Sequence, residues 1–245
     1  MKVTILGIDV AKNIFQLHGV DERGKVVLAR RVSRGKLMEV VANLPACLIG
    51  MEACIGVNYW AREFEKLGHT VKLMSAKFVR PYVKTNKNDS RDAEGISEAV
   101  SRPTMRFVPI RTVEQQDLQA LHCGRTLLMK NRTALINQIR GLLLEYGVVI
   151  PKSAGKVRRI LPSLLEEETA VLTPFAKETF QDLYDQLVNL DSRLEKVDGR
   201  LERIFYRAAT GKGFRQSRAV YLTYHRFSGS DRCFDRFTFL PHPRL

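Results

Sequence analysis

Val3-Thr4-Ile5-Leu6-Gly7-Ile8-Asp9-Val10-Ala11-Lys12 opens the chain with a short apolar run that ends on a carboxylate. Apolar runs of this length rich in Val and Ile read as buried strands. Residues 3–8 are therefore read as a strand, with Asp9 at its end. A charge at that depth is costly unless it is paired or bound to metal. Residues 14–20 read as a second strand. The turn Asp21-Glu22-Arg23-Gly24 leads into a third, residues 25–32, so the three form a meander.

Working outward, residues 35–44 carry helical spacing at Leu37, Val40, Val41 and Leu44, and residues 46–51 form a short apolar strand. Residues 58–67 are amphipathic, with Trp60, Phe64 and Leu67 opposite Arg62, Glu63 and Glu65. Gly68 caps that helix before a strand at 70–74. The order β-β-β-α-β-α-β followed by helices is that of an α/β mixed sheet with flanking helices, which matches the ribonuclease-H-like architecture.

From Thr112 onward the pattern turns helical. Leu118, Leu121, Leu128, Leu135 and Leu142 recur at sevens, interrupted by Arg125, Arg132 and Ile139. One long helix is expected to about Tyr146, stopped by Gly147 and Pro151. Phe180, Leu183, Leu187, Leu190, Leu194, Val197, Leu201 and Ile204 alternate steps of three and four, which predicts a coiled-coil seam; a core helix of a bundle is the other reading. Either way this arm serves oligomerisation or packing. The expected organisation is 1–110 catalytic domain, 111–162 helical extension, 163–204 coiled-coil arm and 205–245 basic aromatic tail.

The 245 residues hold 40 Lys and Arg against 26 Asp and Glu, a net charge of +14. Residues 1–163 carry 27 basic and 14 acidic side chains, 164–204 carry 5 and 10, and 205–245 carry 8 and 2. A basic body interrupted by an acidic helix implies a polyanionic partner met on particular surfaces. A solvated basic face is the alternative. Cys47, Cys54, Cys123 and Cys233 include no C-x-x-C pair, which argues against a zinc ribbon or disulfide scaffold. No run approaches the roughly 18 apolar residues of a membrane span, and no signal-peptide pattern opens the chain. A reduced, cytoplasmic, soluble protein is expected, with no membrane partner.

Three places put carboxylates where phosphoryl chemistry needs them: Asp9, then Glu52 at the end of the later strand, then Asp89 and Asp92 spaced i,i+3 on one helical face. Such a set converges on two divalent ions, Mg²⁺ or Mn²⁺, that clamp the attacking and leaving oxygens of an in-line displacement. Lys12, Arg80, Lys84, Lys87 and Arg91 lie around it in the sequence and suit a phosphate backbone. Each carboxylate also has an ordinary reading. Asp89 with Asp92 resembles a capping pair, Asp9 an Asx turn, and Glu52 an exposed rim residue. Glu94 and Glu98 read as solvated. His18 and His122 have no ligand partner at metal spacing, and Cys54 reads as a small packing residue rather than a nucleophile.

On these residues the chain resembles the 110 family of insertion-sequence transposases, relatives of the Piv-type DNA invertases. Gly7-Ile8-Asp9-Val10-Ala11-Lys12, Gly50-Met51-Glu52-Ala53-Cys54-Ile55-Gly56 and Lys84-Thr85-Asn86-Lys87-Asn88-Asp89-Ser90-Arg91-Asp92-Ala93 look like the family's D, E, D, D motifs. Residues 138–147 resemble the helix after its catalytic domain. The resemblance covers residues 3–150. It implies a RuvC-like domain with Asp9, Glu52, Asp89 and Asp92 as catalytic metal ligands, and DNA partners in transposon ends and target. In many members it also implies a structured guide RNA, and it implies assembly as dimers or tetramers.

The tail departs from the family. Residues 205–245 have 7 Arg, 1 Lys and Phe214, Phe227, Phe234, Phe237 and Phe239, without a persistent period. Such material suits a clamp on nucleic acid or an aberrant reading frame. The family continues into a domain with a glycine-rich turn and a nucleophilic serine. Thr210-Gly211-Lys212-Gly213-Phe214 matches that turn poorly, and Ser217, Ser228 and Ser230 do not take the serine's place. The expectation is a transposase truncated or frame-shifted at its C-terminus. A junction resolvase of RuvC type and a non-catalytic nucleic-acid-binding remnant are the alternatives.

Overall fold

In the computed structural model the described residues are 2–83, 89–166 and 171–209. Lys84, Lys87 and the tail from residue 210 lie outside them, as does the side chain of Asp89. The chain divides into two compact units between Val113 and Glu114.

The first unit is built on six strands: β1 (Ile5–Asp9), β2 (Ile14–Val20), β3 (Val26–Ser33), β4 (Leu48–Glu52), β5 (Thr70–Met74) and β6 (Phe107–Val108). Their order across the sheet is β3-β2-β1-β4-β5-β6. β1, β4 and β5 run parallel, whereas β2, β3 and β6 pair antiparallel with their neighbours. This is the mixed α/β sheet that the element order predicts. Only β6 is additional, a two-residue strand too short to leave a period in the sequence.

Alternation along β1 and β4 sorts their residues onto two faces. Leu6, Ile8, Ile49 and Met51 are fully buried in the larger core with Leu37 and Val41 of α1 (Arg34–Ala42) and Trp60 and Phe64 of α2 (Val57–Lys66). Trp60 meets the Phe15 ring edge-on at 5.2 Å and stacks with Phe64 at 5.8 Å, as helical spacing predicts for core-facing rings. Gly68, at φ 89°, ends α2, and its neighbour His69 donates its backbone N–H back to Phe64 O.

Ile5, Gly7 and Asp9 lie on the opposite face, as do Leu48, Gly50 and Glu52. That face is covered by α4 (Asp89–Val100), together with Val79 at the end of α3 (Ala76–Val79). Glycine at 7 and 50 is required by how closely α4 lies there. A Cβ at Gly7 would stand 2.6 Å from Ser97 N and closer still to Ala93 O. One at Gly50 would stand 2.8 Å from Val100 Cβ. The two glycines are register partners on adjacent parallel strands, so they form one shallow bed for the helix.

The second unit is helical: α5 (Val113–Glu145), α6 (Ala154–Glu166) and α7 (Pro174–Ala209). α5 ends within two residues of where Gly147 and Pro151 place its stop. Gly147 takes φ 75°, and Val148 N–H donates to Leu143 O at 3.0 Å. The heptad stripe of α7 is real, but its partners lie in the same chain. Phe180, Leu187, Leu190 and Leu194 share one core with Leu135, Ile139 and Leu143 of α5 and Val157 and Leu161 of α6. A seven-residue period records that a stripe faces another helix, not which chain supplies that helix.

The arginines that interrupt the heptads of α5 have a purpose here. Arg125 Nε donates to Asp198 Oδ1 at 2.5 Å, and Arg132 Nε lies 2.9 Å from Asp191 Oδ1 as an ion pair. Asp191 also accepts from Arg158 of α6 at 2.5 Å. Both arginines and both aspartates are seven residues apart, so the two pairs lock α5 and α7 antiparallel at one register. Among the described residues no helix is long and apolar enough to cross a membrane.

Gly7→Ala is expected to lower stability by about 1–3 kcal/mol, because α4 must shift to admit the methyl group. Gly35→Ala, in open space on α1, should change stability by less than about 1 kcal/mol in the stabilising direction. Urea midpoints of the two variants measure the difference, and equal midpoints would disprove the close approach. Asp191→Asn should cost about 1–3 kcal/mol by leaving Arg132 and Arg158 without their anion; an unchanged midpoint would show that the clamp contributes nothing.

Candidate functional site

The sequences Gly7-Ile8-Asp9 and Gly50-Met51-Glu52 repeat one device. Each places a carboxylate two residues after the glycine, hence on the same face of the sheet and at the carboxyl end of a parallel strand. The last registered pair is Ile8↔Met51. One step further along, Asp9 and Glu52 stand on adjacent strands, which lie about 4.8 Å apart in any sheet. Both are half-buried. Carboxyl ends of strands are where open α/β sheets place their ligands.

Cys54 reports on this pair. Its residue is exposed, yet Sγ turns in against the chain, 3.8 Å from the carbonyl oxygens of Val10 and of Ile55. Its thiol is pushed up to about 11, first by desolvation, then by the negative charge of Glu52 and of Asp9. One thiol thus senses both carboxylates. At neutral pH it stays protonated, which does not suit a nucleophile and agrees with the non-nucleophilic reading of the sequence.

α4 brings the other two positions. Asp89 is its first residue, and Asp92 immediately precedes Ala93, whose carbonyl oxygen overlies Gly7. Asp92 is half-buried. Among the described residues no three His, Cys, Asp or Glu side chains come close enough together to hold one metal ion. Strand register places Asp9 and Glu52 at neighbouring strand ends, whereas Asp92 does not complete a three-ligand set with them. Glu94 is half-buried, whereas Glu98 keeps to the solvated reading: its side chain is 38% exposed and pairs with Arg102, four residues on, at 2.5 Å.

Of the basic positions, Lys12, Arg80 and Arg91 are exposed. Lys12 sits in the turn after β1, and its carbonyl accepts from Arg34 Nη1 at 3.5 Å. Arg34 N–H in turn donates to Asn13 O at 2.8 Å, while the guanidinium lies over Trp60 at 5.1 Å. The loop that follows Asp9 is thereby tied to the start of α1. What sequence reasoning misses is the glycine bed itself. Its signal is present, since a lone glycine inside a strand marks close backbone approach.

A family model for DEDD transposases of the IS110 type, described as a transposase, matches residues 6–148. The chain is 47% identical over 202 residues to the transposase for insertion sequence element IS1111A of Coxiella burnetii, covering 82% of this chain and 56% of that protein. It is 41% identical over 203 residues to a probable family 20 transposase of Pseudomonas aeruginosa, covering 82% and 60%. To the transposase for insertion sequence element IS1328 of Yersinia enterocolitica it is 40% identical over 200 residues, covering 82% and 59%. The chain thus spans a little over half the length of these relatives.

Neutralising either carboxylate should lower the thiol of Cys54 toward its ordinary range, because each negative charge opposes the thiolate. In metal-free, mildly alkaline buffer, alkylation of the Cys54 peptide, followed by mass spectrometry, is expected to run severalfold faster in Asp9→Asn and Glu52→Gln than in the wild type. Equal rates in all three proteins would mean that the carboxylates do not face the thiol.

Proposed function

The chain belongs to the IS110-type DEDD transposase family, and we propose that it acts on DNA as an insertion-sequence transposase, cutting and joining strands at the site begun by Asp9 and Glu52. The observation that carries this reading is the paired Gly-x-carboxylate device at the ends of two parallel strands, inside the stretch that the family model matches. Two side-by-side carboxylates fit Mg²⁺ or Mn²⁺, hard cations that take one or two protein carboxylates and fill their remaining positions with water and phosphate oxygens. Asp9 and Glu52 would hold the cation, with Asp92 and Asp89 added from α4. Bound there, divalent cations supply charge neutralisation for an in-line displacement at phosphorus.

The chain's own groups do the rest. The sheet fixes Asp9 and Glu52 by backbone register, so their spacing does not depend on side-chain contacts. Lys12, Arg80 and Arg91, with Lys84 and Lys87, would meet phosphates of transposon-end and target DNA and set their position rather than read their sequence. Cys54 stays neutral and adds no charge beside the carboxylates. On this reading the protein works in the cytoplasm, where the DNA is, and a guide RNA of the element is a further partner. Assembly of copies would use surfaces other than the α7 stripe, which is already covered within the chain.

Calorimetric titration with Mn²⁺ and Mg²⁺, together with strand cleavage of transposon-end DNA, tests the proposal. The wild type is expected to bind the cation. Asp9→Asn, Glu52→Gln and Asp92→Asn should each weaken binding and lower cleavage by at least about two orders of magnitude. Cleavage of four-way junctions instead of transposon ends would favour a resolvase. Salt-sensitive DNA binding without cation uptake or turnover would reduce the protein to a binding module.

A further inference from the structure

The helical unit carries a second basic surface, which the carboxylate site does not use. Residues 124–159 hold eight Lys and Arg and a single acidic residue, Glu145. Part of this charge is neutralised internally, since Arg125, Arg132 and Arg158 pair with Asp198 and Asp191. Arg140 and Lys152 have no such anion among the described residues. They face a cavity of about 340 Å³ between α5 and the segment that precedes α6, with Thr133, Asn137 and Ser153 also on its wall.

The donors of this cavity are prepared for an anion. Arg140 is half-buried, and its Nε donates to Ile150 O at 3.0 Å. That bond holds the guanidinium plane while its two terminal nitrogens make no hydrogen bond to any described group. Lys152 and Asn137 are exposed and likewise make none. No carboxylate lines the cavity, so nothing in its wall repels an anion, and the adjacent Arg132 is paired with Asp191, which it shares with Arg158. No aromatic ring lines it either, which removes the stacking platform that single-stranded bases require.

We propose that this cavity seats a backbone phosphate of a duplex nucleic acid, as a contact separate from the carboxylate site. A planar guanidinium, a flexible ammonium and an amide NH₂ form a set of strong donors, the complement of phosphodiester oxygens. Such a contact positions a duplex and carries no sequence information. The inference rests on the proposed role on nucleic acid and adds to it a second point of attachment, on α5.

The test uses the full chain and fluorescence anisotropy of a short DNA duplex unrelated to any transposon end, repeated with an RNA duplex of the same length. Lys152→Glu and the double variant Asn137→Ala, Lys152→Ala alter exposed side chains only, and circular dichroism melting checks that both still fold. Each variant is expected to bind several-fold to about tenfold more weakly, and its slope of log K against log salt should be shallower by about 0.9 for each phosphate that is no longer neutralised. Weaker binding of both duplexes supports the seat for phosphate in general; weaker binding of one alone supports it and names the source. Wild-type affinity and slope in both variants would overturn the inference. Asp9→Asn is carried alongside: if it loses cleavage while the Lys152 variants bind normally, the seat falls and the transposase reading stands. If the wild type binds neither duplex, the seat falls, and the transposase reading falls with it only if transposon-end DNA is not cleaved either.

Discussion

Contact between α4 and the bare backbone of Gly7 and Gly50 is the constraint on which the first unit depends. A layer packed on a sheet normally stands about 10 Å away because side chains separate the two. Here that spacer is missing at two registered positions, and the helix backbone settles onto β1 and β4. The missing side chains have two consequences. Asp9 and Glu52, two residues further on, emerge on the face that α4 covers, and Asp92 enters next to Ala93, the residue that touches the bed. The site is therefore assembled by backbone proximity, which tolerates surface variation but not an added methyl group.

The second unit is organised by charge as well as by apolar burial. A uniform leucine stripe would let α5 and α7 slide by a heptad with little penalty. Arg125 with Asp198 and Arg132 with Asp191 remove that freedom, because a slipped register would leave half-buried charges facing apolar groups. The acidic residues of α7 that the charge profile singles out are thus partly structural. Those internal pairs also sort the basic residues of α5 and α6 into two kinds. Arg125, Arg132 and Arg158 are paired within the chain, the last two on one shared aspartate, whereas Arg140 and Lys152, just before α6, face an open cavity.

Much of the candidate site is legible in the amino-acid order alone. Asp9 and Glu52 each close an apolar run, and a carboxylate there stands out because burial penalises it. Lys12, Arg80 and Arg91 are legible only as charges, and their exposure agrees with a role at the surface. Cys54 is the non-nucleophilic thiol that the sequence suggests, but its surroundings are not legible there. Its environment comes from Val10 and Asp9 of another strand, which no local pattern reports.

Local periodicity was enough to determine five of the six strands of the mixed sheet, α1 and α2 between them, the extent of α5, the apolar stripe of α7, and the strand-end positions of Asp9 and Glu52. These follow from steric and hydrophobic patterns of period two and three to four, which act over a few residues. Tertiary structure alone decided which strands became neighbours, and hence that Gly7 faces Gly50 and that two carboxylates distant in sequence stand side by side. It also decided that the heptad stripe of α7 is satisfied within the chain, and that β6 adds to the edge of β5. Each of these depends on contacts between segments far apart along the chain, where the free energy lies in mutual burial and register rather than in the preference of any one segment.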